Sequence, residues 1–130
     1  MSIRLILADD HAEFRATLKT LLEQQAGLEV VACVDDGQAL LDHVDCCDLL
    51  PDLIVTDICM PRMGGIEAAH RLKNSHPGIR ILALSSHNEP QFVIAMRAAG
   101  ADAYLLKSDS FETLALTIFR LVRQKVTSGV

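Results

Sequence analysis

The chain has 130 residues, half of them hydrophobic and 22% charged, with a formal net charge of −5. That length suits one domain with a proper core and is short for two, and the acidic balance argues against a general nucleic-acid surface, which needs a basic face. No uncharged apolar run approaches the roughly eighteen residues needed to span a bilayer, and Met1-Ser2-Ile3-Arg4 lacks the basic start and apolar middle of a signal peptide, so a cytoplasmic protein is expected.

Ile3 to Ala8 (IRLILA) reads as a first strand that ends in Asp9-Asp10. Phe14, Leu18, Leu21 and Leu22 follow at i, i+4, i+7 and i+8, one stripe of a helix that Gly27 can close. Leu28 to Val34 is a second strand, and Asp35-Asp36-Gly37 turns into a helix through Ala39, Leu40, Leu41 and Val44, with Pro51 ending that connection. Leu53 to Thr56 (LIVT) has the character of a strand buried on both faces. It stops at Asp57, and a Pro and Gly loop, Pro61 to Gly65, leads to a third helix from about Gly65 to Ser75.

A fourth strand spans Ile79 to Leu84 and ends in Ser85-Ser86-His87; a helix from about Glu89 to Ala99 closes at Gly100. Ala103 to Leu106 is a fifth strand ending at Lys107. Asp109 or Ser110 can cap a last helix in which Phe111, Leu114, Ala115, Ile118, Leu121 and Val122 keep helical spacing. Five strands alternating with five helices predict an α/β domain with a parallel sheet covered on both faces. The domain is expected over residues 1–126, with 127–130 a loose tail or the start of a linker.

The cysteines, Cys33, Cys46, Cys47 and Cys59, show neither CxxC pairs nor zinc spacing and read as free, mostly buried thiols. The histidines, His11, His43, His70, His76 and His87, are scattered and form no metal-type pair, so most are expected at the surface.

Four strands stay apolar to their last position and end in Asp9-Asp10, Asp57, Ser85 and Lys107. In a parallel sheet those ends share one edge, where open α/β folds keep their chemistry. Singly, each residue has a plain structural reading: a helix cap for Asp9 and Asp10, a turn for Asp57 and Ser85, a solvated charge for Lys107. Together they make a site. Three carboxylates form a hard oxygen set suited to Mg²⁺, and a carboxylate can attack phosphorus to form an acyl phosphate. One Lys and one hydroxyl beside the metal can neutralise the phosphoryl oxygens. Asp57, alone at its strand end, is the best nucleophile, with Asp9 and Asp10 holding the metal.

In order and spacing, Asp9-Asp10, Asp57-x-x-Met60-Pro61-x-Met63-x-Gly65, Ser85 and Tyr104-Leu105-Leu106-Lys107 resemble the receiver domain of bacterial two-component response regulators. Ala8-Asp9-Asp10-His11, Leu28 to Ala32 and Arg97 to Lys107 are similar to receivers of the NarL/FixJ type, whose members usually continue into a LuxR-type helix-turn-helix. The resemblance implies a flavodoxin-like (βα)5 three-layer sandwich with strand order 2-1-3-4-5. It also implies a phosphoacceptor at Asp57, with Mg²⁺ held by Asp10, Asp57 and the backbone carbonyl of Cys59, and Asp9 nearby. Ser85 and Lys107 would contact the phosphoryl group, and Tyr104 would change rotamer as Ser85 moves. The implied partners are a sensor histidine kinase and a second copy of the chain, met through the fourth helix, fifth strand and fifth helix or through the first and fifth helices. A DNA-binding output would belong to a parent protein; a stand-alone receiver or an interaction adaptor is the alternative.

The chain departs from the family in places. Ser108 follows Lys107 where many receivers have Pro in a cis bond, so a trans bond is expected. Cys59 and His87 occupy the two positions at which the family tunes dephosphorylation, and neither orients water as an acid or amide does. The fourth helix, with Phe92, Val93, Ile94 and Met96, holds more apolar residues than one stripe requires, although a broad buried face accounts for Val93 and Ile94. Ala115, Phe119, Val122 and Val126 form a second row on the last helix, suited to a partner, and Arg120, Arg123 and Lys125 answer its dipole. Among other classes, an aspartyl phosphohydrolase would want a second acid where Cys59 stands, and a flavodoxin would want a phosphate-cradling loop after the first strand. A phosphate-independent interaction module would not need the full residue set.

Overall fold

The computed structural model describes the backbone of residues 2–128 and the side chains of residues 2–123. It comprises β1 (Ile3–Ala8), α1 (Ala12–Glu23), β2 (Leu28–Val34), α2 (Gly37–Cys46), β3 (Leu53–Thr56), α3 (Gly65–Ser75), β4 (Arg80–Ser85), α4 (Pro90–Ala98), β5 (Ala103–Leu106) and α5 (Phe111–Ser128). The strands form one parallel sheet in the order β2-β1-β3-β4-β5, as the flavodoxin-like resemblance implies.

Alternation along the central strands builds two cores. Ile6, Ala8, Ile54, Ile81 and Ala83 face Leu40 and Val44 of α2, Ala68, Ala69 and Leu72 of α3, and Met96 of α4. Leu5, Leu7, Leu53, Val55, Leu82 and Leu84 face Leu18 and Leu22 of α1 and Leu114, Ile118 and Leu121 of α5. Successive side chains of a strand point to opposite faces, so an uninterrupted apolar run is what a sheet covered on both sides requires.

Several local expectations are corrected. The cysteines are not mostly buried: Cys33, Cys46 and Cys59 are exposed and Cys47 is half-buried. β2 is an edge strand with a register shift opposite Leu5/Ile6, which accounts for the exposure of Cys33. Leu21 lies at the rim of the α1 stripe and is exposed, whereas Leu18 and Leu22 are buried. In α4 the interior takes Met96, and Ile94 is 67% exposed, so the broad buried face does not include it. On α5, Phe119 and Val122 pack against the α1-side core and Ala115 is buried, so the three do not form a free row. The exposed apolar residue there is Leu116, at 71%.

Ser110, not Asp109, caps α5 by accepting from the Thr113 N–H at 3.1 Å, and Asp109 instead accepts from the Leu106 N–H. β4 and α4 each begin one residue later than expected, since the Ile79 N–H bonds the His76 carbonyl and Pro90 takes the first turn of α4. The α5 backbone carries on through Thr127 and Ser128, where a loose tail was expected. Gly129 and Val130, and the side chains of Lys125 and Val126, lie outside the described residues. All described peptide bonds are trans, Lys107–Ser108 included.

One glycine controls how β3 enters α3. A Cβ on Gly65 would stand 2.0 Å from the Asp57 carbonyl oxygen, a backbone atom with nowhere to go. At Gly78 a Cβ would meet nothing within 4 Å. Gly65→Ala is therefore expected to cost about 1–3 kcal/mol, while Gly78→Ala should be neutral or stabilise by up to about 1 kcal/mol. Urea unfolding of the two variants checks this, and equal midpoints would contradict it.

Candidate functional site

The register of the sheet brings the polar strand ends to one edge. Ala8 pairs with Thr56, Thr56 with Ala83 and Ser85 with Leu106. The residues just beyond are carried on by further main-chain bonds: Asp9 N–H to Val34 O at 3.1 Å, Asp57 N–H to Ala8 O at 2.8 Å, and Lys107 N–H to Ser85 O at 2.9 Å. The side chains of Asp9, Asp57, Ser85 and Lys107 are thus set by sheet geometry, which is stiffer than loop geometry.

Lys107 lies at the centre. Its Nζ is 2.8 Å from Asp9 Oδ2, 3.0 Å from Asp57 Oδ2 and 4.5 Å from the centre of the Phe14 ring. Burial pulls the ammonium pKa down, yet hydrogen bonds and charge from Asp9 and Asp57 outweigh it and hold the group above the usual lysine value. The remaining carboxylate oxygens are also used: Asp57 Oδ1 accepts from the Ile58 N–H at 2.7 Å and Asp9 Oδ1 from the His11 N–H at 2.8 Å. Asp9 and Asp57 are buried, and Asp10 stands exposed at the rim.

The acids make a set that fits a divalent cation. One ligand atom each from Asp9, Asp10, His11 and Asp57 lie within 4.8 Å of one another. Three carboxylates around one ammonium leave excess negative charge at a low-dielectric edge, and hard oxygen donors match Mg²⁺. His11 is exposed, as expected of a surface histidine, and its Nδ1 lies 3.4 Å from Asp9 Oδ1 and 3.5 Å from Lys107 Nζ. Only its place directly after the acidic pair could have signalled this.

A second group surrounds the Ser85–His87 turn. Ser85, on β4 between the strands that deliver Asp57 and Lys107, is fully buried, and its Oγ accepts from the His87 N–H at 3.0 Å. The Tyr104 hydroxyl donates to the His87 carbonyl at 2.6 Å. Burial pushes the Tyr104 phenol pKa up, tempered by a hydrogen bond with Ser85. The His87 ring lies 4.6 Å from the Phe92 ring, and its Nε2 is 3.5 Å from the exposed Cys59 thiol. The positions 59 and 87, singled out separately in the sequence, thus touch across the mouth of the acidic cluster.

A model of the response regulator receiver domain matches residues 5–119. The transcriptional regulatory protein DegU of Brevibacillus brevis is 35% identical over 112 residues, covering 86% of this chain and 47% of that protein. The response regulator GacA of Pseudomonas viridiflava is 34% identical over 120 residues, covering 92% and 55%. The chain thus spans about half the length of these curated relatives. In three dimensions it is similar to a LuxR-family DNA-binding response regulator from Staphylococcus aureus, with a TM-score of 0.86 at 26% identity, covering 92% of this chain and 98% of that one.

The two raised groups of the site, Lys107 and Tyr104, bind their proton more tightly folded than unfolded. Their stabilising effect is full below the ordinary values of 10.5 and 10.0 and is lost as pH rises through the folded ones. Stability measured by urea unfolding is expected to fall at alkaline pH with a shallower slope in Lys107→Gln than in the unmodified chain. Identical slopes would remove Lys107 as a cause.

Proposed function

The chain belongs to the response regulator receiver domain family, matched over residues 5–119, and on that premise we propose that Asp57 accepts a phosphoryl group from a sensor histidine kinase. The observation that carries this reading is a buried Asp57 carboxylate at the C-terminal end of β3, paired with Lys107 and flanked by Asp9, Asp10 and Ser85. One carboxylate oxygen attacks phosphorus, the new O–P bond forms as the donor's N–P bond breaks, and the displaced imidazole nitrogen keeps the electron pair. Asp9, Asp10, Asp57 and the backbone carbonyl of Cys59 would hold Mg²⁺, which supplies charge neutralisation at the phosphoryl oxygens when bound. The Lys107 ammonium, already within reach of Asp57, exchanges a carboxylate for a phosphoryl oxygen, and the Ser85 hydroxyl donates another hydrogen bond. The chain promotes only its own phosphorylation and dephosphorylation.

Phosphorylation adds about −1.5 to −2 of charge at this edge. Drawing the Ser85 hydroxyl toward the phosphoryl group withdraws the acceptor of the His87 N–H, and the Tyr104 hydroxyl, bonded to the His87 carbonyl, is released to a new rotamer. The change reaches the surface of α4, β5 and α5, where Ile94 and Leu116 are exposed. That surface, or the face of α1 and α5, would meet a second copy of the chain. The parent protein is a cytoplasmic, DNA-binding transcriptional regulator in this reading; support comes from relatives of which the chain spans about half the length. Among the described residues no helix is long and apolar enough to cross a membrane.

Incubation with acetyl phosphate and Mg²⁺ is expected to add one phosphoryl group by intact mass, and none in Asp57→Asn; labelling that survives this substitution refutes Asp57. Because the Cys59 thiol faces His87 instead of offering a water-orienting oxygen, the acyl phosphate is expected to outlast that of Cys59→Asn. Equal decay rates would sink the idea that position 59 sets the lifetime.

A further inference from the structure

The loop between β3 and α3 is tied to the start of α2 by a charged pair that the phosphoryl reading does not use. Asp36 is the N-cap of α2 and its side chain is wholly buried, at 0% exposure. Its Oδ1 accepts from the Ala39 N–H at 2.8 Å, and its Oδ2 accepts from the guanidinium of Arg62. The Ala39 N–H holds the carboxyl below the usual range against the opposing pull of burial, with Arg62 adding to it. An exposed ion pair would count for little. A buried carboxylate, in contrast, needs its partners.

Arg62 stands in an unusual backbone conformation to make this contact. Its φ is +63°, and it is the one non-glycine residue with positive φ among the described residues. Glycine would occupy that position without strain, so the cost of placing a side chain there is offset by what the side chain reaches. The loop is also held on either side of Arg62. The Gly37 N–H donates to the Met63 carbonyl at 2.7 Å, and a Cβ on Gly37 would stand 2.7 Å from that same oxygen. The Gly65 N–H donates to the Ile58 carbonyl at 2.8 Å. The span from Ile58 to Gly65 is therefore closed on itself and pinned to α2, with Cys59 inside it.

We propose that Arg62, acting through Asp36, is a positioning residue for the divalent cation: the pair fixes the β3–α3 loop so that the Cys59 backbone carbonyl is held ready for the metal. This rests on the receiver reading, in which that carbonyl is a ligand. Arg62 touches neither metal nor phosphoryl group. Without the pair the loop samples other conformations, and binding must order it, which lowers affinity.

The test is a double-substitution cycle on the full chain, read by Mg²⁺ titration calorimetry. Arg62→Gly removes the guanidinium and relieves the left-handed backbone. Asp36→Asn keeps a capping oxygen for the Ala39 N–H and removes the charge. Each single variant is expected to bind Mg²⁺ about tenfold more weakly, the low end for supporting partners of metal ligands, and the double variant no more weakly than either single. Unchanged affinities, or a double variant whose loss is the product of the singles, would overturn the proposal. So would affinities that merely track stability in parallel urea unfolding of the four proteins. An unmodified chain that fails to bind Mg²⁺ takes down the metal reading of the acidic cluster and this proposal with it; unmodified binding with unmoved variants takes down this proposal alone.

Discussion

The ammonium of Lys107, held between the buried carboxylates of Asp9 and Asp57, is the interaction on which the site depends. Two buried carboxylates at the edge of a sheet repel, and each must give up hydration to be there. A single cation from β5 resolves both costs and joins β1, β3 and β5 across the sheet. That arrangement is satisfied but not neutral, because Asp10 and the second carboxylate remain in excess. The leftover negative charge makes this edge one that could hold a divalent cation.

The fold makes such a cluster affordable by separating stability from chemistry. The two cores lie on the faces of the sheet, where alternating side chains of β1, β3 and β4 meet α2, α3 and α4 on one side and α1 and α5 on the other. The polar residues collect at the C-terminal edge, just past the apolar runs of the strands, without opening the interior. What crosses from edge to surface is a short chain of hydrogen bonds, Ser85 to His87 to Tyr104, built from two hydroxyls and two main-chain groups. Such bonds can exchange partners with little repacking of the core.

The strands were legible because their apolar runs are short, β-branched and cut off by Asp9, Asp57, Ser85 and Lys107, and the alternation of strands and helices leaves few topologies. The acidic cluster was legible for the same reason, since a parallel sheet sends every strand end to one side. Exposure was harder to read. Ile94 and Met96 are both apolar residues of a helix, and only the position of α4 on the sheet sends one to solvent and the other inside. Cys33 belongs to an apolar strand yet is exposed because β2 lies at the edge.

Sequence by itself determined the elements, the parallel run of the strands and the residue types that meet at the strand ends, because periodicity and handedness act locally and leave little freedom once five βα units follow one another; the strand order was implied by the family resemblance. Only the tertiary structure decided the long-range pairs: His11 against Asp9 and Lys107, Cys59 against His87, and Arg62 against Asp36. Those contacts join residues up to 96 positions apart. They depend on distances of a few ångströms set by how helices and loops pack on the finished sheet, which no local pattern encodes.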